Sequence, residues 1–521
     1  MEYSVIPQPA HMKQHGDAPV FRLTRLCNLH ADEKSRLAKE ELLRFLEQTL
    51  EFELVGTGKE HLFLKVDETV SSPEGYTLTV EDNRVTVTGH DDAGVFYGVQ
   101  TLKQLLLQSD GALPALEIAD APQYAYRGFL LDVSRYFFAP DAVKQMLDAM
   151  ALHKLNRFHW HLTDDHGWRI ELDNWPLLTQ IGSYRAYTNF GRRPHGGYYT
   201  KDEIRDIVQY AHDRCIQVIP EVDSPGHVVS AIASYPFLSC FDRELPVATN
   251  SGVQHDILCV GKESSFDFMF SVLDEVAELF PDGMFHIGGD EVPTMRWDNC
   301  PHCQKKLRDL GFSEPSQLYA WYIGRITTHL QQKGFQVFAW HNAQLGNEID
   351  PSVIRQHWDV LPGENADLSH VVDADYHSYY FDLPYGMVTL KNCYSHNPAK
   401  GGTQPFGVEC CLWTEYVPTM QKAGYCAFPR MGAFSETAWT PPAEKDYDAF
   451  LKKLPAYFRL LDEVSLPHAT KRQALPSFLR NWGYQAWFWK RNLHALGFKK
   501  ALDDRKVARE AHNRQPSSVD S

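Results

Sequence analysis

The sequence predicts a parallel (β/α)8 barrel (a TIM barrel), preceded by a small α+β domain and followed by a helical C-terminal extension. Three observations predict it. Between Tyr126 and Trp439, eight short apolar runs alternate with crossover segments, several of them amphipathic helices. Residues 1–120 show strand-like alternation beside one apolar helix instead. No glycine-rich phosphate loop follows an early strand, which argues against a doubly wound open sheet. The expected division is 1–120 for the noncatalytic α+β domain, 121–440 for the barrel and 441–521 for the helical region.

In the first unit, alternation runs through Tyr76–Val80 and Arg84–Thr88 around the turn formers Glu81-Asp82-Asn83. An apolar helix follows over Ala93–Leu107. The barrel strands are expected at Gly128–Val133, Arg157–Leu162, Gln217–Pro220, Met284–Ile287, Gln336–Trp340, Val353–Trp358, Val371–Asp375 and Gly407–Trp413. Thr200 and Glu203 form a capping-box pattern ahead of a helix carrying Ile204, Ile207, Val208 and Ala211 on one stripe. Helices are expected over Phe266–Phe280 and Gln317–Lys333. Beyond Trp439 the chain reads as helical and aromatic (Trp482, Tyr484, Trp487, Trp489), then as a polar, frayed tail from Ala501 to Ser521.

Lys and Arg number 51 against 67 Asp and Glu, a formal charge of −16, which disfavours a nucleic-acid or anionic-membrane binder. No apolar stretch reaches the roughly 20 residues needed to span a bilayer. Met1–Val20 lacks a basic region followed by an apolar one, and the ten cysteines are scattered, so a reducing cytoplasm is the expected location. Cys300-Pro301-His302-Cys303 is a single CxxC, at most half of a tetrahedral zinc site. With no second CxxC, the expectation is a surface loop with free thiols, and no metal or cofactor.

Barrel enzymes build their sites at the carboxyl ends of the strands. Here those ends read Asp132-Val133-Ser134-Arg135, Thr163-Asp164-Asp165-His166-Gly167-Trp168, Glu221-Val222-Asp223-Ser224-Pro225-Gly226-His227 and His286-Ile287-Gly288-Gly289-Asp290-Glu291. The remaining four carry Trp340-His341, Trp358-Asp359, Tyr379-Tyr380-Phe381-Asp382 and Trp413-Thr414-Glu415. Carboxylates with aromatic platforms suit carbohydrate. Sugar rings stack their C–H faces on tryptophan, and glycosidic cleavage needs a protonated acid for the leaving oxygen. Asp290 and Glu291, past the strand end, enter a pocket at different depths, which suits one acid and one orienting group.

Taken singly, several of these residues have plainer readings. Arg135 serves equally as an ion-pair partner of Asp132 or Asp164, and His227 as a loop cap. Trp340 and Trp358 fit a barrel core, and Asp382 and Glu415 fit solvated rim charges. Asp290-Glu291 is the exception, because two acids at a buried strand end are costly unless used or paired.

The motif His286–Glu291 resembles the signature of glycoside hydrolase family 20 β-N-acetylhexosaminidases, and the other strand-end motifs match in order over roughly residues 50–440. The resemblance implies a retaining exo-glycosidase for terminal β-linked GlcNAc or GalNAc. In it the substrate's own 2-acetamido oxygen attacks the anomeric carbon to give an oxazolinium intermediate. Glu291 would be the general acid/base, with its pKa raised by its surroundings, and Asp290 would hold the acetamide N–H. Tyr380 would donate to the acetamide oxygen, and Asp164 and His227 would orient and tune the acid. Trp340, Trp358 and Trp413 would wall the acetyl group and sugar face. Arg135, Asp382 and Glu415 would bind the 3-, 4- and 6-hydroxyls. The implied partner is a glycan with a terminal N-acetylhexosamine, and the oligomeric state stays open. Residues 383–406 depart from the family pattern, holding tyrosines (Tyr385, Tyr394) where many members place a tryptophan on the leaving-group side. Three rivals stay open: a narrower member releasing a disaccharide or a sulfated sugar, a noncatalytic binding relative, and a two-carboxylate glycosidase using Asp223.

Overall fold

The computed structural model describes residues 3–188, 193–341, 349–359, 367–399 and 403–493. The first unit is a six-stranded sheet of β1 (His11–Arg22), β2 (Asn28–Ala31), β3 (His61–Val66), β4 (Tyr76–Glu81), β5 (Arg84–Gly89) and β6 (Ala112–Asp120), ordered β1-β6-β4-β5-β3-β2. Every second residue of β4 and β5 is buried, as the threonine alternation requires, and α1 (Arg36–Gln48) and α2 (Asp92–Gln108) accompany the sheet.

Eight parallel strands then close into a barrel in sequential order. They are β7 (Tyr126–Asp132), β8 (Arg157–His161), β9 (Gln217–Glu221), β10 (Met284–His286), β11 (Gln336–Trp340), β12 (Ile354–His357), β13 (Val371–Asp373) and β14 (Gly407–Leu412). Both faces are covered, so β7 and β14 are buried along their whole length and read as runs rather than alternations. Among the crossover helices are α3 (Pro140–Leu152), α4 (Lys201–His212), α5 (Glu263–Ala277), α6 (Pro301–Asp309) and α7 (Pro315–Gln332), and the Thr200/Glu203 capping box opens α4.

An apolar layer of Tyr126, Ile219, Met284, Phe338, Ile354 and Val372 fills the barrel. Next to it lies a charged layer. Glu409 accepts from Tyr126 Oη at 2.6 Å and from His159 Nδ1 at 2.8 Å, and His159 Nε2 meets Glu221 at 3.0 Å. Burial opposes the charge on His159, but Glu409 and Glu221 outweigh it and raise its pKa to about 9. The ring is therefore a cation locking two buried carboxylates.

The seventh strand is shorter than expected. It stops at Asp373, a helical turn covers Tyr376–Tyr379, and Tyr380 rejoins the sheet by one bridge to Cys411. Asp373 accounts for the break: its carboxylate accepts from Asp375 N at 3.1 Å and pairs with His396 at 2.6 Å, turning the chain. Residues 441–493 carry α8 (Tyr447–Glu463) and α9 (Phe478–Leu493), while the polar tail Ala501–Ser521 lies outside the described residues. Lys453 on α8 donates to Gln8 and Val5 of the first unit, and Tyr457 pairs with His153 on the barrel side.

The surface-loop reading of Cys300 and Cys303 is corrected. Both are fully buried, because the loop before α6 folds inward against Cys240 and Cys259.

Candidate active site

The carboxyl ends of the strands surround a cavity of about 1250 Å³. Of the residues expected there, Arg135, His227, Asp290, Glu291, Trp358, Tyr380, Asp382, Trp413 and Glu415 line it. Asp164 sits behind Arg135 and His227. Trp340 is 1 % exposed and lies beneath the wall, its indole donating to Glu221 at 2.8 Å and its ring 5.7 Å from Trp413. For Trp340 the plainer core reading therefore holds in part: it supports the wall.

After β10 the chain turns on two glycines. Gly288 has φ +68°, and a Cβ there would stand 1.8 Å from Asp223 Oδ1, so no larger residue fits. Gly289 N donates to that same oxygen at 3.0 Å, and the Gly289 carbonyl accepts from Tyr319 Oη at 2.8 Å. Asp223 is thus engaged as a brace and does not line the cavity. Beyond the turn, Asp290 keeps 17 % of its side chain accessible and Glu291 41 %, two depths in one pocket. Glu291 (φ +46°) and His227 (φ +51°) both hold the left-handed backbone conformation. That conformation costs a side-chain-bearing residue about 1 kcal/mol or more, and such outliers cluster at functional sites.

His227 organises the charges. Its Nδ1 faces Asp165 at 3.3 Å and Asp164 at 3.5 Å, and its Nε2 lies 3.7 Å from both Asp290 Oδ2 and Glu291 Oε2. Burial disfavours its cation, yet Asp164 and Asp290 raise its pKa far above the ordinary value. Burial, joined by the charge on Glu291, pushes Asp290 up to about 6 against the pull of His227. Glu291 corrects an expectation. Burial acts to raise it, but the nearby His227 cation prevails and holds it below the usual carboxylate range. Four carboxylates face one ring, which keeps the shared proton on the imidazole.

Arg135 makes the ion pairs of its plainer reading without leaving the cavity wall. It pairs with Asp164 at 2.6 Å and Asp132 at 3.3 Å, lies 5.0 Å over the Trp413 ring, and still faces the cavity. Burial, with Glu415 second, pushes Asp382 up to about 8, and its Oδ1 is buried with no protein partner. An unfilled acceptor on a cavity wall is ready for a ligand hydroxyl. Trp358 is held by its indole N–H on the His341 carbonyl at 3.1 Å.

Sequence reasoning missed two groups. Glu221 is the hub beneath the site, touching His161, His159, His286 and Trp340. A lone glutamate ending an apolar strand was the available signal. The outer wall is built by Tyr416, Lys422, Tyr425, Arg480 and Tyr484, the last two from α9. The tyrosines of the 383–406 segment do not form it: Tyr385 is buried and donates to the Phe428 carbonyl at 2.8 Å, and Tyr394 packs on Phe450. Asp223, His227 and Asp290 lie close enough to share a metal, but His227 already bridges the acids and Gly289 N holds Asp223.

Two sequence profiles match almost end to end: "Glycosyl hydrolase family 20, domain 2" over residues 2–121 and "Glycosyl hydrolase family 20, catalytic domain" over residues 124–442. The chain belongs to glycosyl hydrolase family 20. The family likeness therefore begins well before residue 50. This family 20 glycoside hydrolase is 37 % identical over 490 residues to a β-hexosaminidase of Porphyromonas gingivalis, a match covering 87 % of this chain and 62 % of that protein. It is 30 % identical to a β-N-acetylhexosaminidase of Cellulomonas fimi, covering 91 % and 98 % of the two chains. Among solved structures, the exo β-N-acetylglucosaminidase of Vibrio harveyi with N-acetylglucosamine superposes with a TM-score of 0.81 at 28 % identity, covering 90 % of this chain and 78 % of that one. The Streptomyces plicatus N-acetyl-β-hexosaminidase superposes at 0.77 with 31 % identity, over 91 % and 97 %.

Proposed function

We propose that this family 20 hydrolase is an exo-acting retaining β-N-acetylhexosaminidase that removes terminal β-linked GlcNAc or GalNAc by substrate-assisted catalysis. The observation that carries the reading is the grouping of Asp290 and Glu291 at two depths around one protonated His227, with Asp223 engaged outside the cavity. Among the described residues, Asp223, the acid that the two-carboxylate alternative would use, is therefore held by the Gly289 turn and off the cavity wall. The names of the relatives, and the N-acetylglucosamine bound in the Vibrio harveyi enzyme, support the same substrate class.

In this mechanism the sugar stacks on Trp413 and Trp358, and Arg135, Asp382 and Glu415 take its hydroxyls. Asp290 accepts from the acetamide N–H and Tyr380 donates to the carbonyl oxygen, which holds that oxygen against the anomeric carbon. As the acetamide oxygen forms its bond to that carbon, the glycosidic bond breaks and the leaving oxygen takes a proton from Glu291. Substrate also removes water from the 41 %-accessible Glu291, strengthening the burial that already acts to raise its pKa. The proton then passes from His227 to Glu291, so the acid is armed by substrate rather than in the empty enzyme. Water, deprotonated by Glu291, finally opens the oxazolinium ion with retention.

A thiazoline analogue of the cyclic intermediate tests the reading. Competitive inhibition at least about a hundredfold tighter than by the product sugar is expected for a transition-state-like ligand. Inhibition no better than by the product would sink the substrate-assisted assignment.

A further inference from the structure

Cys240, Cys259, Cys300 and Cys303 bring their four sulfurs within 4.8 Å of one another, all buried. The pairs Cys259–Cys300, Cys259–Cys303 and Cys240–Cys303 stand 3.6, 3.7 and 3.9 Å apart. A disulfide needs about 2.05 Å, so these are free thiols. A tetrahedron of sulfurs about 2.3 Å from a central zinc has edges of about 3.8 Å. The observed separations match that edge.

We propose that these four cysteines hold a structural zinc ion. Ordinary core cysteines scatter, as Cys27, Cys393 and Cys426 do here; four from separate stretches converging on one point is the arrangement of a closed metal site. Cys300 and Cys303 form the knuckle of the CxxC at the start of α6, where Pro301 opens the helix and its positive end favours thiolate. The missing half of the site comes from Cys240 and Cys259, which no short sequence motif links to the CxxC. Binding forms four Zn–S bonds and releases four protons to solvent.

The position gives the ion its role. Cys240 and Cys259 lie on the loop that follows His227, and Cys300 follows Asp290-Glu291 on the next loop. Around them Leu258 N donates to the Pro225 carbonyl at 2.9 Å, and Trp297 Nε1 donates to the Leu258 carbonyl at 2.9 Å. The metal ties together the two loops that present the catalytic acid and its histidine. It takes no part in the chemistry.

Elemental analysis of the full-length protein, purified without added metal and dialysed against EDTA, tests this. One zinc per chain is expected, released stoichiometrically to a colorimetric chelator when a mercurial titrates the thiols. Cys259→Ser and Cys303→Ser should each fall below about a tenth of an equivalent. Should those variants fail to fold, zinc-edge X-ray absorption of the wild type decides, with a sulfur-only shell at about 2.3 Å expected. Folded, active wild type with less than about a tenth of an equivalent of zinc, with iron in its place, or with a nitrogen- or oxygen-bearing shell overturns the proposal.

Discussion

At Asp290 and Glu291 the two proposed roles separate by environment. Glu291→Gln should lose about 10²–10⁴-fold in kcat on glycosides with poor leaving groups and far less on activated aryl glycosides, which need little protonation. Equal losses in both series would remove Glu291 from the acid's role. Asp290→Asn should lower kcat by about 10²-fold or more with KM within a few-fold, since the proposed acetamide contact would gain strength as charge develops. Because the proposed role needs Asp290 ionised and burial pushes its pKa up to about 6, wild-type kcat/KM should fall as pH drops below about 6, and the Asn variant should lack that limb. Asp382, held up to about 8 against an unfolded value near 3.9, binds its proton more tightly in the folded state. Stability therefore declines as pH rises between those values. Asp382→Asn should gain about 1–2 kcal/mol relative to wild type at pH 8 and nothing near pH 4, by urea titration; the figure is discounted for the pocket's access to solvent. The identity of these residues was readable in the strand-end motifs. The direction of Glu291's shift was not, because it depends on which carboxylates crowd His227 in space.

Among the elements, most barrel strands were legible as short buried apolar runs between turn signals, while β8 (Arg157–His161) and β12 (Ile354–His357) are largely polar in sequence. Tyr380 and Asp382 line the cavity at the seventh rim position although the strand stops earlier, since the Asp373 turn returns the chain to Cys411. The contribution of α9 was hidden: nothing in the pattern of residues 478–493 says that Arg480 and Tyr484 reach the mouth of a barrel that ends some forty residues before them. Arg480→Ala should raise KM for a chitooligosaccharide about three- to tenfold while leaving aryl GlcNAc hydrolysis nearly unchanged. Equal effects on both substrates would place Arg480 at the terminal sugar instead.

Over the whole molecule, the order of domains was visible in the change from alternation to apolar runs, whereas the joint between them was not. That joint is charged. Lys154 Nζ meets Asp120 at 3.0 Å with both side chains wholly buried, Trp439 donates to the same carboxylate at 2.9 Å, and Arg127 pairs with Glu74 at 2.8 Å. Lys154→Met strands a buried charge and should cost about 3–5 kcal/mol in chemical denaturation, with kcat of the folded fraction unchanged. A loss under about 1 kcal/mol would mean that the joint relaxes on losing the pair. Barrel, braced glycine turn and protonated histidine all converge on one claim, that the nucleophile comes with the substrate. The most direct test is to compare hydrolysis of aryl β-GlcNAc, aryl β-GalNAc and aryl β-glucoside by the wild-type protein. Cleavage confined to the acetamido sugars is the predicted result, whereas comparable cleavage of the glucoside would show that a protein nucleophile does the work.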